Sequence, residues 1–294
     1  MNVSVFSPAK INLFLAVTGR RADGFHDLVS VAAPLDFGDT LEAETVSSSP
    51  DRAKYSLECS DPTLAVDPTN LVLRAAAAFS AATGWRDGVH FRLTKRIPMG
   101  AGLGGGSSNA VAALRALNRL SGGAASEEAL ANLAAGLGSD CPMFLPDGPV
   151  IARGRGERIE RLGGAARQRL GGARVLLFKP SVGVPTAWAY GRMAARQADY
   201  VPAEAAERRL QSWCAGQAPL ADLLFNNFEG PVFDKYVALP ALLGSWRREG
   251  RPALMTGSGS ACFVLAGNDP VTTLTARIQA AWGEAAFVQT ARIL

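Results

Sequence analysis

The chain has 294 residues, about two domains' worth at ~150 residues each, and its 48% hydrophobic content supports a sizeable core. Lys+Arg 30 against Asp+Glu 26 leaves a net +4, carried by scattered Arg with acidic neighbours, which excludes the basic stripe of a nucleic-acid binder. Cys59, Cys141, Cys214 and Cys262 form no CxxC pair, arguing against structural zinc and a disulfide framework, and no apolar run reaches the ~18 residues of a membrane span. The opening MNVSVFSPAKINLF lacks a basic leader ahead of a long apolar run, so a cytoplasmic protein is expected.

Short apolar runs at 3–6 and 11–17 read as strands interrupted at Pro8, because proline cannot donate to a ladder. A polar turn region covers 19–26, and strands are expected at 30–36 and 40–45 with Gly38-Asp39 as the turn between them. A loop at 47–51 leads to a strand at 54–59. Residues 70–83 read as a helix with Leu71, Ala75, Ala78, Phe79 and Ala82 on one face, and 89–93 as an alternating strand. Helices are expected at 107–120 and at 127–137, the second closed by Gly138. The stretch 148–156, with its RGRGE, reads as turns, and 163–172 as a linker. Beyond it come a strand at 174–178, helices near 186–198 and 203–213, strands at 253–255 and 262–266, and a helix at 270–282. This is an α+β pattern with no fixed-period repeat, and no heptads assign an oligomeric state.

Five glycines in seven residues stand out in Pro98-Met99-Gly100-Ala101-Gly102-Leu103-Gly104-Gly105-Gly106-Ser107-Ser108. Glycine permits positive φ and lets phosphate oxygens approach the backbone N–H groups. The helix that follows adds unpaired donors and the positive end of its dipole, so the segment is an anion cradle. Several cradles compete. GxxxxGK[ST] fails because no lysine follows the glycines. GxGxxG matches at Gly100, Gly102 and Gly105, but no strand-terminal acid follows about 20 residues on to hold a ribose. HRD and DFG are missing, which removes a protein kinase, and a flexible linker would not run straight into an amphipathic helix.

Two histidines make the commonest general base scarce: His90 reads as an ordinary strand residue, and His26 as either a functional group or a turn residue. Asp140, between Gly138-Ser139 and Cys141-Pro142, is the best candidate base, with a cap or turn role as the bland alternative. Lys10 is either a surface lysine at a strand end or a cation set near the reacting oxygen.

The pattern Pro98-x-x-x-Gly102-Leu103-Gly104-x-x-Ser107-Ser108 resembles the phosphate loop of the GHMP kinases. Five further blocks agree with it, in the order Ser7-Pro8-Ala9-Lys10-Ile11-Asn12-Leu13-Phe14-Leu15, Arg21-Ala22-Asp23-Gly24-Phe25-His26, Gly138-Ser139-Asp140-Cys141-Pro142-Met143-Phe144, Asn226-Asn227-Phe228-Glu229 and Met255-Thr256-Gly257-Ser258-Gly259-Ser260. They are similar to one branch of that superfamily, whose acceptor is a cytidine diphosphate-linked sugar alcohol of non-mevalonate isoprenoid synthesis. The resemblance implies a two-domain α+β fold, with a ribosomal-protein-like N-terminal half (1–162) and a ferredoxin-like C-terminal half (163–294). It implies ATP as co-substrate, with Mg²⁺ expected and no ligand set assigned beyond Ser107 as a candidate hydroxyl. It makes Asp140 the catalytic aspartate and Lys10 the cation that favours a neighbouring negative charge. It places Asn70 and Lys95 near the adenosine and the 98–108 segment around the phosphates. For the acceptor it implies Phe25, His26 and Tyr190 around the base, with Asn12 and Thr186 as polar contacts. Phe25 stands where relatives commonly carry Tyr, which keeps stacking and removes a hydroxyl bond. Its nearest rivals are homoserine- or mevalonate-type kinases; a dinucleotide-dependent oxidoreductase is the rival from another class.

Overall fold

The computed structural model describes residues 1–46, 54–267 and 269–294; the loop expected at 47–51 lies outside them. The strands are β1 (Asn2–Arg20), β2 (His26–Val46), β3 (Tyr55–Cys59), β4 (Gly88–Thr94), β5 (Val150–Gly154), β6 (Arg158–Arg161), β7 (Arg174–Lys179), β8 (Phe225–Asn226), β9 (Ala253–Met255), β10 (Cys262–Leu265) and β11 (Phe287–Arg292). The helices are α1 (Leu71–Thr83), α2 (Gly105–Leu120), α3 (Glu127–Leu137), α4 (Gly164–Leu170), α5 (Thr186–Ala194), α6 (Ala203–Cys214), α7 (Leu220–Leu223), α8 (Glu229–Phe233), α9 (Ala238–Arg248) and α10 (Val271–Trp282). No helix among the described residues is long and apolar enough to cross a membrane.

Two compact units interleave in the sequence rather than meeting at one boundary: residues 1–9, 38–99 and 104–145 form the first, and 10–37, 100–103 and 146–294 the second. The long strands β1 and β2 carry residues of both. In the first unit β3 runs parallel to β4, and β4 antiparallel to β2 from Thr40↔Thr94 to Val46↔Gly88. Helix α1 packs on α2, and α3 on both. The breaks expected at Pro8 and at Gly38-Asp39 do not occur, because they are two sides of one close approach. A Cβ on Gly38 would stand 2.3 Å from the Ser7 carbonyl oxygen and 2.8 Å from Pro8 Cα. The glycine admits the neighbouring backbone, and both strands continue through the spot.

Asn70 caps α1, its side chain accepting from Val72 N, and the buried stripe is Val72, Leu73, Ala75, Ala76 and Phe79. The expected face is therefore rotated, with Ala82 exposed. Helix α2 starts at Gly105, inside the glycine run rather than after it.

In the second unit β2 pairs with β5 from Leu28↔Gly154 to Ala32↔Val150, and β5 with β6, so the expected turn stretch is largely a hairpin. The expected linker holds α4. A four-stranded antiparallel sheet has the order β11-β7-β10-β9, the ferredoxin-like arrangement in which the first and third strands lie centrally. Its core includes Leu176, Phe178, Leu243, Trp246, Met255 and Ile278.

Candidate active site

In the first unit the site is built around the entry to α2. Gly104 caps the helix in the left-handed region at φ 73°, with no side-chain cap bond and no acidic residue in the first turn. The first intrahelical bond is Ser108 N to Gly104 O at 2.9 Å, so the N–H groups of the first turn have no helical acceptor. The underside of this turn is held by a buried polar network. Asp39, fully buried, accepts from Arg96 N at 2.7 Å, Ile97 N at 2.8 Å and Asn109 Nδ2 at 2.9 Å, and pairs with Lys95 Nζ. Asn109 Nδ2 also reaches Ser7 Oγ at 2.8 Å, and Ser7 donates to Ser108 Oγ at 2.8 Å. A Cβ on Gly105 would meet Lys95 Nζ at 3.0 Å, so Lys95 lies directly under the helix start. The sequence alone reads Gly38-Asp39 as a turn, and the one signal against it is an acid two residues after Phe37 in an apolar strand.

Asn70 Nδ2 donates to Ala65 O at 2.7 Å while its oxygen caps α1, so the amide shapes the loop before the helix. Asp140 is half-buried in the turn after α3, closed by Cys141 N to Gly138 O at 3.1 Å. Its neighbour Cys141 is buried and hydrogen-bonded to Ser107; burial pushes its thiol up to about 11, against the opposing pull of the Ser107 bond.

The second unit holds residues 100–103, so the glycine segment is shared between the units. Gly100 and Gly102 have φ of 60° and 76°. Ala101 O accepts from Ala261 N at 3.1 Å and Leu103 O from Lys10 N at 3.0 Å, docking this stretch on the 256–261 loop and on β1. The fit leaves no room: a Cβ on Gly102 would stand 2.3 Å from Thr256 O, and one on Gly257 2.9 Å from Gly102 O. Lys10, Asn12 and Thr256 are buried together. Lys10 Nζ donates to Asn12 Oδ1 at 2.6 Å, and Asn12 N to Thr256 Oγ1 at 2.9 Å.

His26 is buried between Tyr190 (ring centroids 5.2 Å apart) and Tyr200 (5.9 Å), with its Nε2 unbonded. Burial, aided by the charge of Arg20, lowers its pKa and favours the neutral ring. Tyr190 is itself braced edge-on by Phe228 at 4.8 Å. Phe25 is 49% exposed, with the Arg155 guanidinium 4.8 Å from its ring centre. Thr186 Oγ1 lies 3.1 Å from Ser258 Oγ. Tyr200 escaped sequence reading, since nothing in Ala198-Asp199-Tyr200-Val201 marks it. Asn227 sets this segment by donating to Asp199 O and Val17 O, both at 3.0 Å. His90 is a strand residue bonded to Ser56 Oγ at 2.8 Å.

A glycine-lined, cation-backed helix entry and a ferredoxin-like sheet define a small-molecule kinase of the GHMP type, and residues 70–148 match the family model of the GHMP kinases N terminal domain. A homoserine kinase from Cytophaga hutchinsonii shares the fold at 18% identity and a TM-score of 0.74, over 99% of this chain and 95% of its own. Similarity in sequence is narrower. The chain is 40% identical over 276 residues to the 4-diphosphocytidyl-2-C-methyl-D-erythritol kinase of Synechococcus sp. (strain CC9311), covering 90% of this chain and 86% of that protein. It is 39% identical to the enzyme of the same name from Chlorobaculum parvum, over 93% and 92% of the two chains. A crystal structure of 4-(cytidine 5'-diphospho)-2C-methyl-D-erythritol kinase superposes with a TM-score of 0.76 at 36% identity, over 99% of each chain. The chain belongs to the 4-diphosphocytidyl-2-C-methyl-D-erythritol kinase family.

Proposed function

We propose that the chain transfers the γ-phosphoryl group of ATP to the 2-hydroxyl of 4-diphosphocytidyl-2-C-methyl-D-erythritol, a step of non-mevalonate isoprenoid precursor synthesis in the cytoplasm. The observation that carries the kinase reading is the entry to α2, whose unpaired N–H groups lie behind left-handed glycines with no acidic side chain in the first turn. The acceptor follows from the full-length relatives. Phosphoryl transfer asks for positioning and charge stabilisation more than covalent chemistry, and buried dipoles and cations supply both. We assign Gly100, Gly102 and Gly104 to Ser108 to the phosphates, with Pro98, Met99, Ala101 and Leu103 shaping the segment. Lys95, paired with Asp39, supports the helix entry from below, and Asn70 sets the loop ahead of α1 toward the adenosine. Asp140 takes the proton of the acceptor hydroxyl, and Lys10 stabilises the developing oxyanion. The unbonded Nε2 of His26 reads the edge of the cytosine, and Tyr190 and Phe25 offer it aromatic faces. Asn12 and Thr186 complete the polar surround of the acceptor.

No group of three or more His, Cys, Asp or Glu side chains able to hold a metal occurs among the described residues. The Mg²⁺ expected for this reaction would enter on the nucleotide's own phosphates, with Ser107 the nearest proposed hydroxyl. An ADP-release assay against a panel of acceptors tests the reading. Turnover with the diphosphocytidyl sugar alcohol and none with homoserine or mevalonate is expected. Equal turnover of homoserine would overturn the acceptor assignment.

A further inference from the structure

The Asn226-Asn227-Phe228-Glu229 block distinguishes the sequence, yet the reading above gives Asn226 and Glu229 no task. Their side chains hold the backbone of residues 255–257. Asn226, 4% exposed, donates one amide hydrogen to Met255 O and the other to Gly257 O, both at 2.8 Å, while its oxygen accepts from Phe228 N at 3.0 Å. Glu229 Oε1 accepts from Met255 N at 2.9 Å and is held by Arg247 Nη2 at 2.6 Å. The residue enclosed is Thr256, fully buried. Its hydroxyl accepts from Asn12 N at 2.9 Å and donates to Asn12 Oδ1 at 3.4 Å. Asn12 Oδ1 is the atom that receives Lys10 Nζ, at 2.6 Å. Asn12 Nδ2 is committed to Ser30 Oγ at 2.8 Å, and Ser30 donates to Phe14 O at 2.7 Å, so the amide has one orientation.

We propose that Asn226 is a positioning residue for phosphoryl transfer. It clamps the carbonyls on either side of Thr256, so that the Thr256 hydroxyl holds Asn12 and Asn12 holds the Lys10 ammonium in place. Only a primary amide has two hydrogens to span both carbonyls and an oxygen left for a third partner. Every link is buried, so water does not replace a lost one and an error at Asn226 propagates to the ammonium. The inference rests on Lys10 acting at the acceptor oxygen.

The test uses the full chain, with kcat per folded molecule, both KM values and the melting temperature measured for each variant. Asn226→Ala and Thr256→Val should each lower kcat about 10- to 100-fold, the size expected for two lost hydrogen bonds. The KM for ATP is read alongside, because Gly102 packs against the same Thr256 carbonyl, and kcat should fall by a larger factor than that KM rises. The double variant should be no slower than the slower single, since the two act in series. Thr256→Ser keeps the hydroxyl and should restore most of the rate. If Asn226→Ala does not fold, Asn226→Ser, with one donor for two carbonyls, serves in its place. Unchanged kcat per folded molecule in the Asn226 variants, or losses that multiply in the double variant, would overturn the proposal. Lys10→Met separates it from its premise: an inactive Lys10→Met beside normal Asn226 variants sinks the clamp alone, and an active Lys10→Met sinks the role of Lys10 with it.

Discussion

Replacing Gly102 and Gly100 singly by alanine separates two costs that a glycine-rich loop usually confounds. Both lie in the left-handed region, at φ 76° and 60°, so each alanine bears a backbone cost of roughly 1–2 kcal/mol. Gly100 has open space where the methyl would go, and its cost ends there. At Gly102 the methyl would stand 2.3 Å from Thr256 O, with Gly259 N and O at 3.3 Å. Thr256 O is backbone and must retreat by about an ångström to reach ordinary contact distance. That shift strains the hydroxyl bond from Asn12 N and the two bonds from Asn226, adding about 1–3 kcal/mol. Thermal unfolding at one buffer and scan rate should therefore place Gly102→Ala well below Gly100→Ala, by roughly 2–4 °C for each kcal/mol of difference. kcat should fall further in Gly102→Ala as well, since Thr256 touches Asn12. Equal melting temperatures for the two variants would refute the steric argument.

Asp140→Asn should lower kcat by about two to four orders of magnitude while the Kd for ATP, read by calorimetry, changes little; a near-normal rate would remove Asp140 from the base role. Asp39→Ala leaves the Lys95 ammonium, its side chain 6% exposed, and three further donors without their acceptor, a loss of about 3–5 kcal/mol visible in urea unfolding. The double variant Asp39→Ala/Lys95→Met should recover part of that loss. His26 titrates below its ordinary value in the folded chain, so its contribution to stability is full above about pH 6.5 and is lost as pH falls through the lowered value. The acceptor's KM should rise over the same acid range, an effect that His26→Gln should abolish.

Much of the fold was legible because period and punctuation agreed with it. Asn70, Ser126 and the glycines after α1 and α3 bound those helices where propensity places them. The misreadings share a cause. Pro8 and Gly38 look like breaks when each strand is read alone, and only their close approach explains why both strands run on. The turn-like 148–156 stretch forms a hairpin because β2 supplies a partner from more than 100 residues away. Among the candidate residues, Lys10, His26 and Asp140 are marked in the sequence by chemistry and by family pattern. Asp39 and Tyr200 are not, since a buried acid and a half-buried tyrosine declare themselves only through partners brought from elsewhere in the chain.

The Cys141 thiol, buried beside the turn of Asp140 and held near 11, turns the first unit into its own chemical clock. Burial keeps that thiol in its neutral form, and alkylation proceeds through the thiolate. Labelling at that position consequently waits for the turn to open, so its rate measures how often the segment around Asp140 leaves its native arrangement. Cys59 and Cys214, only partly buried, supply the comparison within the same chain.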